Sequence, residues 1–576
     1  METITKEDKA WIYEKKAPQN GAELIVTYLK RRAIQNVYGI PGGANLPLYD
    51  ALHGSGIRHI LARQEQGGGF MAQGEARITK KASVCLASSG PGVTNLITAV
   101  ADAKSDSIPL VAITGQVPLS LIGTDAFQEI DTYGLSLPIT KKNYLVRSIA
   151  ELIHVLPEAF KIAEGGRPGP VWIDVPKDIQ ASPISISMPQ IEEIWKREEV
   201  GAPKMDPFIS EADISKFFSY LENSKQPVLY IGGGVKQSSS ERLIMELAEA
   251  QDIPVVSTLM GLDSFPQTHS LSLGMLGMHG APYTNMLLAE ADLLLAFGVR
   301  FDDRATGKLD TFCPNAKVIH VDIDYKEIGK LRKPDFGFCA DLKFFLESLG
   351  KFPERRRAGW LERVRSYKDR FPLSPVSTQE GYSPDSIIRT CAEFLGSKAI
   401  VTTDVGQHQM WVAQYYPFQE QGTFLTSGGL GTMGFGLPCS IGAALASPDR
   451  TVACFSGDGS ILMNIQELDT LSELKVNVKI IIFDNRNLGL VRQQQNLFYG
   501  SRYNGSAYPS ESKFSKIGRA FGIPSLDLGE EGKTLEDLRS FLTADGPGLV
   551  VIPIHPDLQV LPMVPPGKSN LEMLLG

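Results

Sequence analysis

Along the chain, short apolar runs ending in glycine or aspartate alternate with longer amphipathic segments. From Gly21 the helix-patterned GAELIVTYLKRRA leads into the apolar run NVYGI and the turn PGG. IRHIL, ASVCLAS, DSIPLVAITG and PGPVWIDVP follow, with helix-like segments between several of them. The rhythm returns in PVLYIGGG, IPVVSTLMG, DLLLAFGVRFDD and AKVIHVDID. It returns again in AIVTTDVG, FLTSGGLGTMGFGLP, TVACFSGDGS, VKIIIFDN and LVVIPI. Apolar runs alternating with helices predict parallel sheets covered on both faces. At 576 residues the chain is too long for one core. The expectation is therefore α/β: three tandem doubly wound parallel-sheet domains at residues 21–182, 208–349 and 382–555, an N-terminal arm at 1–20 and a C-terminal tail at 556–576. The polar, proline-bearing stretch from about Pro183 to Pro207 reads as a linker, and the charged KFPERRRAGWLERVRSYKDRF as the end of the second block.

Composition narrows the class. The hydrophobic fraction of 43% and charged fraction of 21% are those of a soluble globular enzyme. A net charge of −8 argues against nucleic-acid and anionic-membrane partners. No run of about 18 apolar residues spans a bilayer. The opening METITKEDKAWIYEKK has neither the apolar core of a secretory signal nor the acid-poor character of a transit peptide. Cys85, Cys313, Cys339, Cys391, Cys439 and Cys454 include no CxxC pair and read as reduced core residues. The expected compartment is the cytoplasm.

Candidate chemistry gathers where apolar runs end, since ligands of open parallel sheets bind beyond the carboxyl ends of the strands. TVACFSGDGSILMNIQEL ends a run in Gly457-Asp458-Gly459-Ser460, and VKIIIFDNRNLGLV ends the next in Asp484-Asn485. If the two strands are neighbours, Asp458 and Asn485 lie side by side. A carboxylate, an amide oxygen and a backbone carbonyl are hard donors that suit Mg²⁺ holding a diphosphate. A lone GDG is as well read as a turn. Followed by a helix, a strand and an asparagine, it resembles the thiamine diphosphate motif, with Asp484 in place of that motif's first asparagine.

Glu65 in RQEQGGGFMAQGEA raises a separate question. A carboxylate there can be an acid complementing a helix N-terminus. It can also be the glutamate that hydrogen-bonds the aminopyrimidine of thiamine diphosphate and so promotes loss of the thiazolium C2 proton. That role suits an apolar, water-poor setting that raises the carboxyl pKa.

From about Gly21 to Leu575 the sequence resembles the catalytic subunits of acetolactate (acetohydroxyacid) synthase. The segments that carry the resemblance include YGIPGGANLPLYDAL, SSGPGVTNLITAVADA, IGTDAFQEID, GRPGPVWIDVPKDIQ, MLGMHG, FGVRFDDRATGKL, TTDVGQHQMW, LTSGGLGTMGFGLP and PMVPPGKSNLEML. The resemblance implies pyrimidine-binding, central FAD-binding and diphosphate-binding domains. It implies Glu65 as the cofactor-activating residue, with Asp458, Asn485 and the Asn487 carbonyl holding Mg²⁺. Val405, Gly406, Gln407 and His408 would line the diphosphate, with Gly459, Ser460, Leu488 and Gly489. Met433, beside Gly431, would bend the cofactor, and Leu490 would lie near it. Gln128, Phe127, Lys177 and Gln494 would lie toward the substrate. Apart from the resemblance, Met433 and Leu490 read as core and Lys177 as a solvated charge.

The resemblance also implies FAD in a structural role, because the reaction has no net redox change. Its residues would be Arg167, the triplet Gly232, Gly233 and Gly234, and Thr258, Leu259 and Met260. Leu276, Gly277, Met278 and His279 would follow, then Gly298, Arg300, Arg304, Asp322, Ile323 and Asp341. Read alone, GGG and FGVRFDDR are strand-end turns. The implied reaction decarboxylates pyruvate and joins its two-carbon unit to a second 2-oxo acid, giving 2-acetolactate or 2-aceto-2-hydroxybutyrate for branched-chain amino acid synthesis. The implied partners are a second or further copies of the chain, as homodimer or homotetramer, and a small regulatory subunit. The active site would combine the first domain of one chain with the third of another.

Two positions depart from the family pattern. Gln64 stands where a histidine is usual, and cannot exchange a proton near neutral pH. Gln494 stands where a tryptophan packs on the acceptor's alkyl tail, which predicts weak preference for 2-oxobutyrate or another acceptor. Rival readings are a thiamine-diphosphate decarboxylase or aldehyde ligase, and a cofactor-binding paralog without catalysis.

Overall fold

A computed structural model describes residues 17–200, 208–376, 378, 381–509 and 512–575. Most of the expected arm, and residues 201–207 of the expected linker, lie outside them. The chain divides into two compact units, Met1–Ala72 with Ala82–Lys204, and Gln73–Lys81 with Met205–Gly576.

The first unit holds one six-stranded sheet: β1 (Asn36–Gly39), β2 (Arg58–Leu61), β3 (Ser83–Ala87), β4 (Leu110–Gln116), β5 (Lys142–Leu145) and β6 (Pro170–Pro176), in the order β2-β1-β3-β4-β6-β5. Every pairing is parallel. The middle strands β3, β4 and β6 are buried along their whole length, as a sheet covered on both faces requires. The helix Gly21–Arg31 starts where the Asn20 side chain accepts the Glu23 amide, and it buries Leu24, Ile25, Tyr28 and Leu29 on one stripe.

The expected linker is corrected here. A helix spans Met188–Val200 and buries Ile191 and Trp195, four residues apart, in the core of the first unit. Trp195 Nε1 donates to the Ile153 carbonyl at 3.0 Å. Met188 and Ile194 pack beside them, so an apolar face docks a segment whose composition is largely polar.

The second unit holds two sheets. One comprises β7 (Pro227–Ile231), β8 (Val255–Ser257), β9 (Ser272–Met275), β10 (Leu293–Phe297), β11 (Lys317–Asp322) and β12 (Phe336–Cys339), in the order β12-β11-β10-β7-β8-β9. Read from the β9 edge this is the dinucleotide-binding order, whose switch point falls between β7 and β10. The other comprises β13 (Ile400–Thr403), β14 (Phe424–Thr426), β15 (Val452–Gly457), β16 (Val478–Asp484), β17 (Ser525–Asp527) and β18 (Gly548–Pro553), in the order β14-β13-β15-β16-β18-β17. This repeats the strand order of the first sheet and puts its switch point between β13 and β15.

The charged stretch after residue 349 also belongs to the packing. The helix Ala358–Arg370 buries Trp360 and Val364 against the second sheet, and Trp360 Nε1 donates to the Pro227 carbonyl at 3.0 Å. Cys339 is exposed on edge strand β12, unlike the other five cysteines, and all six are free. Among the described residues no helix is long and apolar enough to cross a membrane.

Inside the second unit the ties between the two folds include the following two. Segment 556–575 runs back to the central fold: Val564 N–H donates to the Met278 carbonyl at 2.9 Å, and Asn570 Nδ2 to the Ala305 carbonyl at 2.9 Å. The second tie is a buried ion pair. Asp263 has no exposed side-chain surface and lies 2.8 Å from Lys236 Nζ. Its Oδ2 accepts the backbone N–H groups of Thr423 and Phe424, each at 2.9 Å, at the start of edge strand β14. Lys236 Nζ donates to the Phe424 carbonyl at 2.9 Å. Asp263→Ala leaves a half-buried ammonium and two N–H groups without their acceptor, so a loss of about 3–5 kcal/mol is expected. Calorimetric melting is the check, with Lys236→Met/Asp263→Ala recovering part of the loss because no unpaired charge remains.

Candidate active site

The third sheet brings the GDG and DN segments together. β15 and β16 pair in parallel with Gly457 opposite Phe483, so Asp458 and Asp484 end neighbouring strands. Asp458 is buried, and its Oδ1 accepts the Gly459 N–H at 2.9 Å. Asp458 Oδ2 accepts the Asn487 N–H at 3.1 Å, and Asn485 Oδ1 accepts the same N–H at 2.9 Å. Asp458 and Asn485 oxygens therefore converge on one point. Burial, and then the neighbouring Asp484 carboxyl, push the Asp458 pKa well above the usual carboxylate range. Asn487 Oδ1 is buried with no hydrogen-bond partner.

This arrangement fits a cation. It has a buried Asp458 carboxyl repelled by the half-buried one of Asp484, an amide oxygen aimed at the same N–H, and an orphaned buried oxygen on Asn487. Among the described residues no group of three or more His, Cys, Asp or Glu side chains is placed to hold a metal. An ion here would complete its shell with oxygens from a ligand and water, which is the habit of Mg²⁺.

The segment beyond β13 adds a cradle. Val405 and Gly406 lead into the helix Gln407–Tyr415, with Gln407 and His408 buried. Burial pushes the His408 pKa down to about 3, so the ring is neutral, and its Nε2 has no hydrogen-bond partner. A Cβ on Gly457 would fall 2.9 Å from His408 Nδ1, and one on Gly489 would fall 2.0 Å from Gln407 Oε1. A side chain at 489 would push the Gln407 amide aside. Ser460 Oγ donates to the Val405 carbonyl at 2.6 Å, joining the ends of β13 and β15. Gly431 is exposed at φ 69°, and Met433 is half-buried two residues on. Leu488 and Leu490 flank Gly489, half-buried at the start of the helix Gly489–Phe498, which carries Gln494 exposed. A cavity of about 370 Å³ beside this helix is lined by Gly489, Arg492, Gln493, Asn496, Tyr503 and residues 556–559, and Gln494 is not among the lining residues.

Sequence reasoning missed two side chains of this fold. Asp404 is buried and pushed up to about 6 by burial; it accepts the Gly434 N–H at 2.7 Å and the Ser456 hydroxyl at 3.0 Å, anchoring the loop of Met433. Gln493 is buried and bonded to Gln407 at 3.1 Å. Its QQQ context gave no sign of which glutamine turns inward.

In the first unit, Glu65 is the first residue of the helix Glu65–Thr79, so it is also the helix N-terminal acid of the plainer reading. Its Oε2 accepts Asn95 Nδ2 at 3.0 Å, another partner the sequence did not reveal. Gln64 turns its Oε1 back to the Gln66 N–H at 2.9 Å and serves its own helix start. Phe127 is 88% exposed at the tip of a loop, next to Gln128 at φ 60°. A Cβ on Gly90 would fall 2.9 Å from the Gln128 Cβ and carbonyl oxygen, so the GPG turn and this loop touch backbone to backbone. Glu129 clasps the loop from within, accepting N–H groups of Gly123, Thr124 and Ala126. Lys177 is exposed at the start of a short helix after β6. Arg167 Nε donates to Ser107 Oγ at 2.8 Å.

The second sheet places every other residue expected at the flavin along one edge, the carboxyl ends of its strands. Gly232–Gly234 follow β7, Thr258–Met260 follow β8, and Leu276–His279 follow β9. Gly298, Arg300 and Arg304 follow β10, while Asp322 ends β11 beside Ile323, and Asp341 lies beyond β12. At the switch point a Cβ on Gly234 would fall 2.5 Å from Gly298 Cα, an approach only glycines permit. Asp341 caps the helix Leu342–Ser348 through the Phe344 N–H at 3.0 Å. His279 is buried and neutral, held down to about 4 by burial, with Nδ1 3.0 Å from the Pro562 carbonyl.

Three family models match the chain. They describe the N-terminal TPP binding domain (residues 19–135), the central domain (214–349) and the C-terminal TPP binding domain (404–552) of thiamine pyrophosphate enzymes. The chain is 51% identical over 556 residues to the acetolactate synthase isozyme 1 large subunit of Escherichia coli K12, covering 96% of this chain and 97% of that protein. It is 43% identical over 562 residues to isozyme 2 of the same organism, covering 96% and 99%. Against the chloroplastic acetolactate synthase of Arabidopsis thaliana it is 42% identical over 572 residues, covering 97% and 84%. The chain belongs to the acetolactate synthase large subunits. Within that thiamine pyrophosphate family the two terminal matched domains are the cofactor-binding ones, and they coincide with the sheets that share one strand order.

One titration in the first unit is open to measurement. Asp174, buried in β6, accepts Thr114 Oγ1 at 2.7 Å and Gln116 Nε2 at 3.0 Å, while Gln116 Nε2 also reaches the Ile130 carbonyl at the foot of the Phe127 loop. Burial pushes its pKa up to about 7, against the lowering effect of those hydrogen bonds. The folded value exceeds the unfolded one of about 4, so the folded state binds the proton more tightly. This group's stabilisation is full below pH ~4 and is lost as pH rises through ~7, on the order of 4 kcal/mol in all. Asp174→Asn is expected to flatten that part of the decline in melting temperature between pH 5 and 8.

Proposed function

We propose that the protein is a thiamine-diphosphate-dependent acetolactate synthase. It decarboxylates pyruvate and joins the two-carbon unit to a second 2-oxo acid, giving 2-acetolactate for branched-chain amino acid synthesis. The observation that carries this reading is the convergence of Asp458, Asn485 and Asn487 at the switch-point edge of the third sheet, in a chain of this family.

In this reading Asp458, Asn485 and the Asn487 carbonyl hold Mg²⁺. Gly459, Ser460, Leu488 and Gly489, with Val405, Gly406, Gln407 and His408, receive the diphosphate. The unpartnered His408 Nε2 supplies a neutral polar contact there. Met433 and Leu490 contribute apolar surface beside the cradle. When bound, thiamine diphosphate supplies the carbon centre at which pyruvate loses carbon dioxide. Glu65 hydrogen-bonds the aminopyrimidine and promotes the proton transfer that readies that centre, with Asn95 holding its carboxylate in place. Phe127, Gln128 and Lys177 lie toward the substrate. Arg167 and the strand-end residues of the second sheet hold FAD as a structural group. The glycine approach at the β7/β10 switch point and the Asp322 carboxylate at the end of β11 fit a dinucleotide. The working enzyme is at least a homodimer, with a small regulatory subunit as further partner.

Gln494 supports a second, finer reading. A polar, exposed side chain there offers no apolar wall to an ethyl group, so 2-oxobutyrate gains little over pyruvate as acceptor. One extra methylene in an apolar pocket is worth about 1–3 kcal/mol, roughly 10–200-fold.

The deciding assay supplies Mg²⁺, thiamine diphosphate and FAD with pyruvate alone, then with equal 2-oxobutyrate. Acetolactate from pyruvate is expected; release of carbon dioxide or acetaldehyde without an acetohydroxyacid overturns the carboligase reading, and absence of turnover favours a non-catalytic one. Glu65→Gln is expected to lower kcat by about 10²–10⁴. Gln494→Trp is expected to shift products toward 2-aceto-2-hydroxybutyrate by about tenfold, and an unchanged ratio sinks the selectivity argument.

A further inference from the structure

Gln493 makes no contact that its position in the cofactor cradle requires, yet it is buried and fully bonded. Its Oε1 accepts the Val560 N–H at 2.8 Å and Gln407 Nε2 at 3.1 Å. Its Nε2 donates to the Val560 carbonyl at 2.9 Å and lies 3.4 Å from Met563 Sδ. A backbone N–H only donates and a carbonyl only accepts, so Val560 permits Gln493 one amide orientation.

The choice then passes down a line. Gln407 answers with its NH₂, held that way by both the Gln493 oxygen at 3.1 Å and the Leu558 carbonyl at 2.8 Å. That leaves Gln407 Oε1 toward Asn485, which donates through Nδ2 at 3.2 Å. Asn485 Oδ1 is thereby turned the other way, toward the Asn487 N–H that Asp458 also holds. A flipped Asn485 would set its NH₂ against the Asn487 N–H, donor to donor, and NH₂ cannot ligate a cation.

We propose that Gln493 is a positioning residue, forming with Gln407 an amide relay that sets the polarity of Asn485 with the Val560 and Leu558 backbone as its reference. The proposal rests on the reading of Asn485 as a Mg²⁺ ligand. Groups that orient ligands from behind usually change metal affinity by about 10–100-fold.

The test reads binding rather than turnover. Thiamine diphosphate binding to the purified chain is followed by calorimetry at increasing Mg²⁺, giving the half-saturating Mg²⁺ concentration. Gln493→Met keeps length and packing but loses both amide functions. It is expected to raise that concentration about tenfold or more. The same substitution is then made with Asn485→Asp, whose carboxylate has two equivalent oxygens and no orientation to set. There it is expected to leave the concentration unchanged or to lower it, because Gln407 is released to turn its NH₂ toward the carboxylate. Equal values for the parent and Gln493→Met overturn the relay. An equal loss in both backgrounds also overturns it, since Gln493 then acts only by packing segment 556–563. Parent protein that binds the diphosphate without any Mg²⁺ dependence overturns the metal reading itself, and is told apart by needing no variant. Should Gln493→Met fail to fold, Gln493→Leu, which likewise lacks the amide, is compared in the same two backgrounds.

Discussion

The parallel pairing of β15 with β16 is the constraint on which the candidate site depends. Its register puts Gly457 opposite Phe483, and so ends both strands at the same height with an acid on each. A slip of one residue would turn the side chains of one strand to the opposite face and separate the oxygens that converge on the Asn487 N–H. The register is in turn secured by burial. Both strands are buried over nearly their whole length, so slipping would also exchange two packed faces.

Two buried acids at this edge show how environment separates support from chemistry. Asp404 and Asp458 end adjacent strands, β13 and β15, and burial raises the pKa of both. Asp404 is surrounded by donors: the Gly434 N–H, the Val405 N–H and the Ser456 hydroxyl. It needs nothing further and fastens a loop. Asp458 also accepts two N–H groups, but one of them is shared with the Asn485 amide oxygen and a second carboxyl, Asp484, stands beside it, a surplus of acceptors that a cation would satisfy.

Much of this was legible in the sequence because strands buried on both faces are written as continuous apolar runs. The three-block α/β reading rests on those runs, and the six-stranded sheets agree with it. The strands it did not single out, β5, β9, β12 and β17, each lie at the edge of a sheet. β5, β12 and β17 are short and partly exposed, and β9 is a four-residue strand interrupted by Gly274, so none forms a long apolar run. The site was legible where glycine and acid sit at fixed offsets, as in GDG. The candidate site was illegible where a side chain's partner lies far along the chain. Asn95 is 30 residues from Glu65, and Gln493 is 86 from Gln407. The helix at Met188–Val200 failed for a related reason. Its largely polar composition hid an apolar face that only the packed core reveals.

Segment 556–575 lies downstream of both folds of the second unit, yet each uses it. Pro562 and Val564 bond the central fold at His279 and Met278, while Leu558 and Val560 bond Gln407 and Gln493 of the third. During synthesis on the ribosome, the sheets of this unit can form before that segment emerges, but neither ligand edge can be finished. The two edges therefore mature together, on emergence of one short stretch of chain, however early their own strands have paired.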